Sequence, residues 1–148
     1  MPLTYLLLQA HSGLRWLVLL AGLASLVITF LGWKNKSPWG KPAKIGGSTY
    51  VGLLDLQFLI GLILYAIDPV IRAFWEAPAA HMKDWNYRFF AIEHVTFMVL
   101  AVILAHAGSV LARKASTDEM KYSRLFFFHV GSFVLLLAGI PWQRLAQH

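Results

Sequence analysis

Six ionisable side chains stand inside stretches that are otherwise close to pure hydrocarbon. They are His11, Asp55, Glu93, His94, His106 and His129, and Arg15 follows His11 by one helical turn. Such groups are costly at membrane depth and mark function by default. Imidazole is the most versatile of them. In its neutral form it ligates metals through one ring nitrogen while the other is held by a hydrogen bond.

Depth along the chain pairs the histidines. His11 lies about eight residues inside the first apolar stretch and His94 about six inside the third. Both stretches are entered from the same side, so at ~1.5 Å rise per residue the two rings fall within roughly one turn of each other. His106 and His129 lie about six and seven residues from the opposite side, and Asp55 is near their level. His94 and His106 are 12 residues apart on one helix, which is ~18 Å along the axis and ~120° around it. They therefore face two different grooves, one toward the first span and one toward the fourth.

Two histidines at one level on facing helices suit a haem iron bound on both faces. The macrocycle is largely apolar, sits between helices, and needs small residues where its edge meets backbone. His11 and His94 are the expected outer ligands, and His106 and His129 the candidates for a second haem. Arg15 is a cation for the propionates. Glu93 would hold Arg15 or orient a ligand histidine. A non-haem metal on the two histidines and Glu93 is less natural, because adjacent helical residues point ~100° apart. A single bound chlorophyll-type pigment, or no cofactor with the histidines bonding across helices, are the remaining readings. So is an inner proton path through Asp55, His106 and His129.

The elements that must position these groups are helices. The chain has 148 residues, 58% of them hydrophobic, with 13 Lys and Arg against 7 Asp and Glu. A soluble domain of this size could not cover so much apolar surface. Four apolar segments, about 3–32, 49–68, 88–112 and 122–142, are each near the ~20 residues that cross hydrocarbon. Backbone groups in lipid are satisfied internally, so these are helices. The expected fold is all-α, a single domain over 1–148 forming an up-down-up-down transmembrane four-helix bundle. The connection 34–47, rich in Pro, Gly and Lys, reads as a turn-forming loop.

The net charge of +6 does not imply nucleic acid. Lys34, Lys36, Lys41 and Lys44 flank the first connection, and Arg113, Lys114, Lys121 and Arg124 the third. The second connection is nearly balanced. The positive-inside rule then puts connections one and three in the cytoplasm and both termini on the outer, periplasmic side. The first stretch has no basic n-region and is too long for a signal-peptide core, so it is expected to remain as a span. With no cysteine, disulfides, iron–sulfur clusters, thiolate zinc sites and covalently attached haem are excluded.

Four segments carry a resemblance: His11-Ser-Gly-Leu-Arg-Trp16, Leu56-Gln-Phe-Leu-Ile-Gly-Leu-Ile-Leu-Tyr65, Arg88-Phe-Phe-Ala-Ile-Glu-His94 with Met98 and Ala101, and Ala138-Gly-Ile-Pro-Trp142. Together they resemble short four-span bacterial membrane proteins labelled cytochrome b or cytochrome b-like. The resemblance implies a b-type haem protein of the bacterial inner membrane and carries over His11, Arg15, Glu93 and His94. His106 and His129 lie outside those segments. Asp55 stands where the resembling sequences often have histidine. No catalytic nucleophile or substrate pocket is legible. The expectation is therefore an electron-transfer subunit of a respiratory or photosynthetic complex, with other membrane subunits and a quinone as partners. The alternative is a cofactor-free accessory subunit.

Overall fold

In the computed structural model, which describes residues 3–145, every regular element is helical. The long helices are α1 (Leu3–Lys34), α2 (Lys41–Ile67), α6 (His94–Arg113) and α7 (Asp118–Gly139). Between α2 and α6 the chain makes three short helices, α3 (Pro69–Glu76), α4 (Pro78–His81) and α5 (Trp85–Arg88), then one turn of π-helix over Phe89–Glu93. A last turn, α8 (Trp142–Leu145), follows α7. Trp85–Arg113 forms the third of four spans whose mean hydropathy reaches 2.1, 1.9, 2.2 and 1.4 along the chain. Leucines such as Leu20, Leu23, Leu59 and Leu62 are exposed on the bundle's outer surface. That surface would be untenable in water and suits lipid, so the chain is a multi-pass membrane protein.

The four spans close into a ring in which α1 packs on α2 and α7, and α6 packs on α7 and, more loosely, on α2. α1 and α6 are therefore diagonal, as are α2 and α7. Small residues make the close crossings. Gly22, Ser25, Thr29 and Gly32 are buried on one stripe of α1, and Ala101, Ala105, Gly108 and Ala112 on one stripe of α6. Small side chains let backbones approach where no hydrophobic drive separates helix from lipid. Val18, Tyr50, Leu54, Ala101, Ala105 and Leu136 form the central core.

The first and third connections meet at one end of the bundle. Trp39 N–H donates to Asp118 Oδ2 at 3.0 Å and the Tyr122 hydroxyl to the Pro38 carbonyl at 3.1 Å. The basic residues of both connections thus share one end, as four alternating spans require.

Two boundaries differ from expectation. α2 begins at Lys41, inside the segment read as a loop, because Pro42 sits in the first turn, where its missing N–H costs nothing. Gly46 and Gly47 are helical and lie against Ile28 of α1 and Leu125 of α7. α7 begins at Asp118, earlier than 122. Thr117 caps it by accepting from Met120 N–H at 3.2 Å, with Asp118 and Glu119 in the first turn. It ends at Gly139, two residues before Pro141.

Candidate functional site

His11 and His94 do meet. They come from the diagonal pair α1 and α6, with ring centres 6.2 Å apart and planes at 69°. A cavity of about 360 Å³ opens beside them at the end of the bundle away from the basic connections. Apolar walls come from Val18, Leu64, Met98 and Leu136, and polar ones from Ser12, Arg15, Gln57 and Arg144. A smaller cavity shares His11, Gln57, Gly61 and His94 with it and extends between α2 and α6, where Phe58, Leu62 and Val95 line it. Both histidines thus line both open spaces.

The π-turn sets the position of His94. A π-turn widens the helix by one residue, rotates the residues beyond it, and is frequent at functional sites. Here it ends immediately before His94. The Tyr65 hydroxyl donates to the Ala91 carbonyl inside that turn at 2.9 Å, and accepts from Trp75 Nε1–H at 3.0 Å. Ile71, Phe74 and Ala91 pack around this brace.

Hydrogen bonds orient one ring and leave the other open. His94 Nδ1 lies 2.7 Å from the Gly139 carbonyl. A carbonyl can only accept, so Nδ1 carries the proton and Nε2 keeps its lone pair. Gln57 Nε2 donates to the His11 backbone carbonyl at 2.9 Å, fixing the level of α1 against α2. His11 Nδ1, Arg15 Nε and Gln57 Oε1 are buried without a protein partner, and all three residues line the larger cavity. Buried polar atoms are rarely left unpaired. Three around one cavity give it a polar rim and make it the candidate site.

Glycines on the other diagonal leave the space. A Cβ on Gly61 of α2 would stand 3.1 Å from His11 Cε1. One on Gly139 of α7 would collide with the Met98 side chain. Either substitution would press on a histidine or its immediate wall.

The remaining candidates are placed differently from expectation. Glu93 does not reach Arg15; it pairs with Arg88 at 2.8 Å, because the π-turn directs it toward the outer connection. Arg15 instead lies over the Trp16 ring at 5.0 Å. Among the described residues no group of three or more His, Asp or Glu is placed to hold a metal ion, so the His–His–Glu93 arrangement is not formed. His106 and His129 are not brought together. His106 Nε2 bonds Asp55 Oδ1 at 2.9 Å on the outer surface of the bundle. His129 is fully buried, 2.9 Å from Ser25 Oγ through Nδ1, with its ring against Tyr50.

Sequence reading alone did not single out Gln57 or Arg144 as lining residues. Gln57 carried a usable signal, being an amide in an apolar span. Arg144 carried none, since an arginine near a helix end is ordinary. Its guanidinium stacks on Phe90 at 4.4 Å and donates to Asn86 at 3.2 Å. Comparison with known proteins gives no match among family models, curated proteins or solved structures.

Proposed function

We propose that the chain is a membrane electron-transfer subunit that holds one b-type haem between His11 and His94. The observation that carries the reading is the diagonal imidazole pair. Two imidazoles with ring centres about 6 Å apart would be near enough to hold one metal between them. The rings here are 6.2 Å apart. The cavity beside them, about 360 Å³, falls in the ~300–1,000 Å³ range of cofactor pockets.

The donor set fits as well. His94 is held by a backbone carbonyl at Nδ1, as metal-bound histidines commonly are. His11 has a buried nitrogen that no protein group uses. Leu64, Met98 and Leu136 exclude water, while Arg15 and Arg144 supply cations for two carboxylates at the rim. When bound, a haem supplies reversible one-electron transfer at its iron, at a potential set by axial ligands and burial. Burial among apolar side chains, with two nearby guanidinium groups, is this chain's contribution to that potential.

The split of His106 from His129 supports one haem per chain and not two. The basic end is taken as cytoplasmic by the positive-inside rule, which puts the haem near the periplasmic face of a bacterial inner membrane, with both termini outside. Electron partners would be other membrane subunits and a quinone.

The test is a reduced-minus-oxidised absorbance spectrum of the purified protein with haem quantified per chain. Sharp b-type bands at one haem per chain are expected, lost in His11→Ala and in His94→Ala. Folded protein without haem, isolated in a detergent shown not to strip it, would overturn the reading in favour of a cofactor-free accessory subunit.

A further inference from the structure

Asp55 and His106 take no part in the site above, yet they form a hydrogen-bonded pair at membrane depth. His106 lies seven residues, or roughly 10 Å, from Arg113 along its helix, and Asp55 eleven residues, or roughly 16 Å, from Lys44. The pair bridges α2 and α6 at 2.9 Å, with side-chain exposures of 40% for Asp55 and 51% for His106. Polar groups at this depth normally face a bundle interior or a water-filled cavity. This pair faces outward, where hydrocarbon leaves its remaining polar atoms unmatched.

Hydrocarbon favours the neutral form of such a pair. Imidazole with carboxylate carries one negative charge, and one further proton removes it. The result is imidazolium with carboxylate, or imidazole with carboxylic acid. Both leave the same two atoms unmatched, His106 Nδ1–H as a donor and Asp55 Oδ2 as an acceptor. A pair that presents one donor and one acceptor is its own complement.

The surroundings suit a second helix. Ser48 and Gly52 share the exposed face of α2 with Asp55. A Cβ on Gly52 would meet no atom of the described residues within 4 Å. No contact inside the chain therefore calls for this glycine, which weakens the helix relative to alanine. Small residues four apart let another backbone approach closely in lipid. Gly52 is three residues from Asp55, ~4.5 Å along α2. On α6, Ile103 and Val110 are exposed on either side of His106.

We infer that this α2–α6 face is the contact between two copies of the chain, related by a twofold axis along the membrane normal. His106 Nδ1–H of each copy donates to Asp55 Oδ2 of the other, and Gly52 lets the two α2 helices come together one turn away. Both copies insert the same way round, because both carry the same basic end. The twofold axis therefore brings the second pair to the matching depth with no further requirement. A different membrane protein would have to supply its own acid and base at that level. The contact does not rest on the haem reading.

The test is analytical ultracentrifugation of the full chain in mild detergent, with haem content measured on the same preparation. A reversible dimer is expected. Its dissociation constant should rise at least ~10-fold in the Asp55→Leu/His106→Leu double variant. Gly52→Leu should weaken it as well, and this side chain meets open space within its own chain. Circular dichroism checks that both variants are folded. Asp55→Leu and His106→Leu should each self-associate weakly, yet bind each other more tightly when mixed, because the mixture restores one of the two reciprocal bonds. A chain that is monomeric at every concentration overturns the inference, as does a dimer that both variants leave unchanged. So does a monomer that co-purifies with a different protein lost in the variants, since the face then belongs to that protein. A dimer formed by protein that binds no haem would sustain this contact while the haem reading fails.

Discussion

The two ends of the bundle use the same residue type to opposite purposes. At the end away from the basic connections, two histidines from diagonal helices face each other beside a cavity, with three unpartnered polar atoms around its rim. At the basic end, two histidines at matched depth are separated. One is sealed in the core on Ser25 and one is turned outward onto Asp55. Equal depth places two rings at one level. The angle around each helix decides whether they meet, and small residues at the crossing decide whether anything fits between them.

At the basic end the core is closed. Tyr50 OH and Ser132 Oγ are 2.8 Å apart, Ser132 donates to the Ala101 carbonyl at 2.8 Å, and Thr29 to the Ser25 carbonyl at 2.6 Å. The first two bonds tie α2, α7 and α6 together, the third lies within α1, and the Ser25–His129 bond joins α1 to α7. Satisfied buried polar groups specify one packing and rigidify it. Among the described residues the basic end leaves His129 Nε2 buried without a partner, and the other end leaves four such atoms, on His11, Arg15, Gln57 and Glu93, the first three beside the cavity.

The sharpest way to break this contrast is to remove either outer histidine. His11→Ala and His94→Ala should each abolish the b-type absorbance while leaving a folded helical protein by circular dichroism. Full absorbance in either variant would separate the ring pair from the cofactor. Filling the diagonal should act nearly as strongly. Gly61→Leu drives a side chain into His11, and overpacking a tight site typically costs ~1–3 kcal/mol. Haem content of the purified variant should fall roughly tenfold, and a normal content would show that the slot is not where the ligand lies.

The basic end should respond in stability and not in colour. His129→Leu removes the partner of Ser25 from a fully buried position, and breaking a buried hydrogen bond costs about 1–3 kcal/mol. Denaturant unfolding in mild detergent should register that loss at unchanged haem content; lost absorbance would instead make His129 a ligand. Tyr65→Phe removes the hydroxyl that braces the π-turn and should cost about 1 kcal/mol. Hydrogen exchange should quicken over residues 89–94, and uniform protection there would show that the turn stands without its brace. The smallest effect is expected from the Asp55→Leu/His106→Leu pair, which faces outward. The single chain's stability should shift by no more than about 0.5 kcal/mol and haem content not at all, so a large thermal shift in the monomer would make the bond a support of the chain's own fold.

Some of this was fixed by the order of residues alone. Four apolar runs of spanning length require four helices, because lipid leaves backbone groups no other partner. Four spans that alternate in direction put the first and third connections, with their lysines and arginines, at one end. Counting residues from span ends also put His11 level with His94, because helical rise is constant. What counting could not supply was azimuth. The π-turn before His94 breaks the ~100° per residue on which any angular prediction depends, so Glu93 went to Arg88 and not to Arg15. Pro42 in the first turn of α2 and the Thr117 cap moved two helix starts. The partners of His106 and His129 were decided by which stripes of small residues pack together, a choice made by all four helices at once. Rise along a helix is local and can be read from sequence. Rotation about it is settled by packing, and at the two ends of this bundle rotation separates an open, polar-rimmed cavity from a packed core.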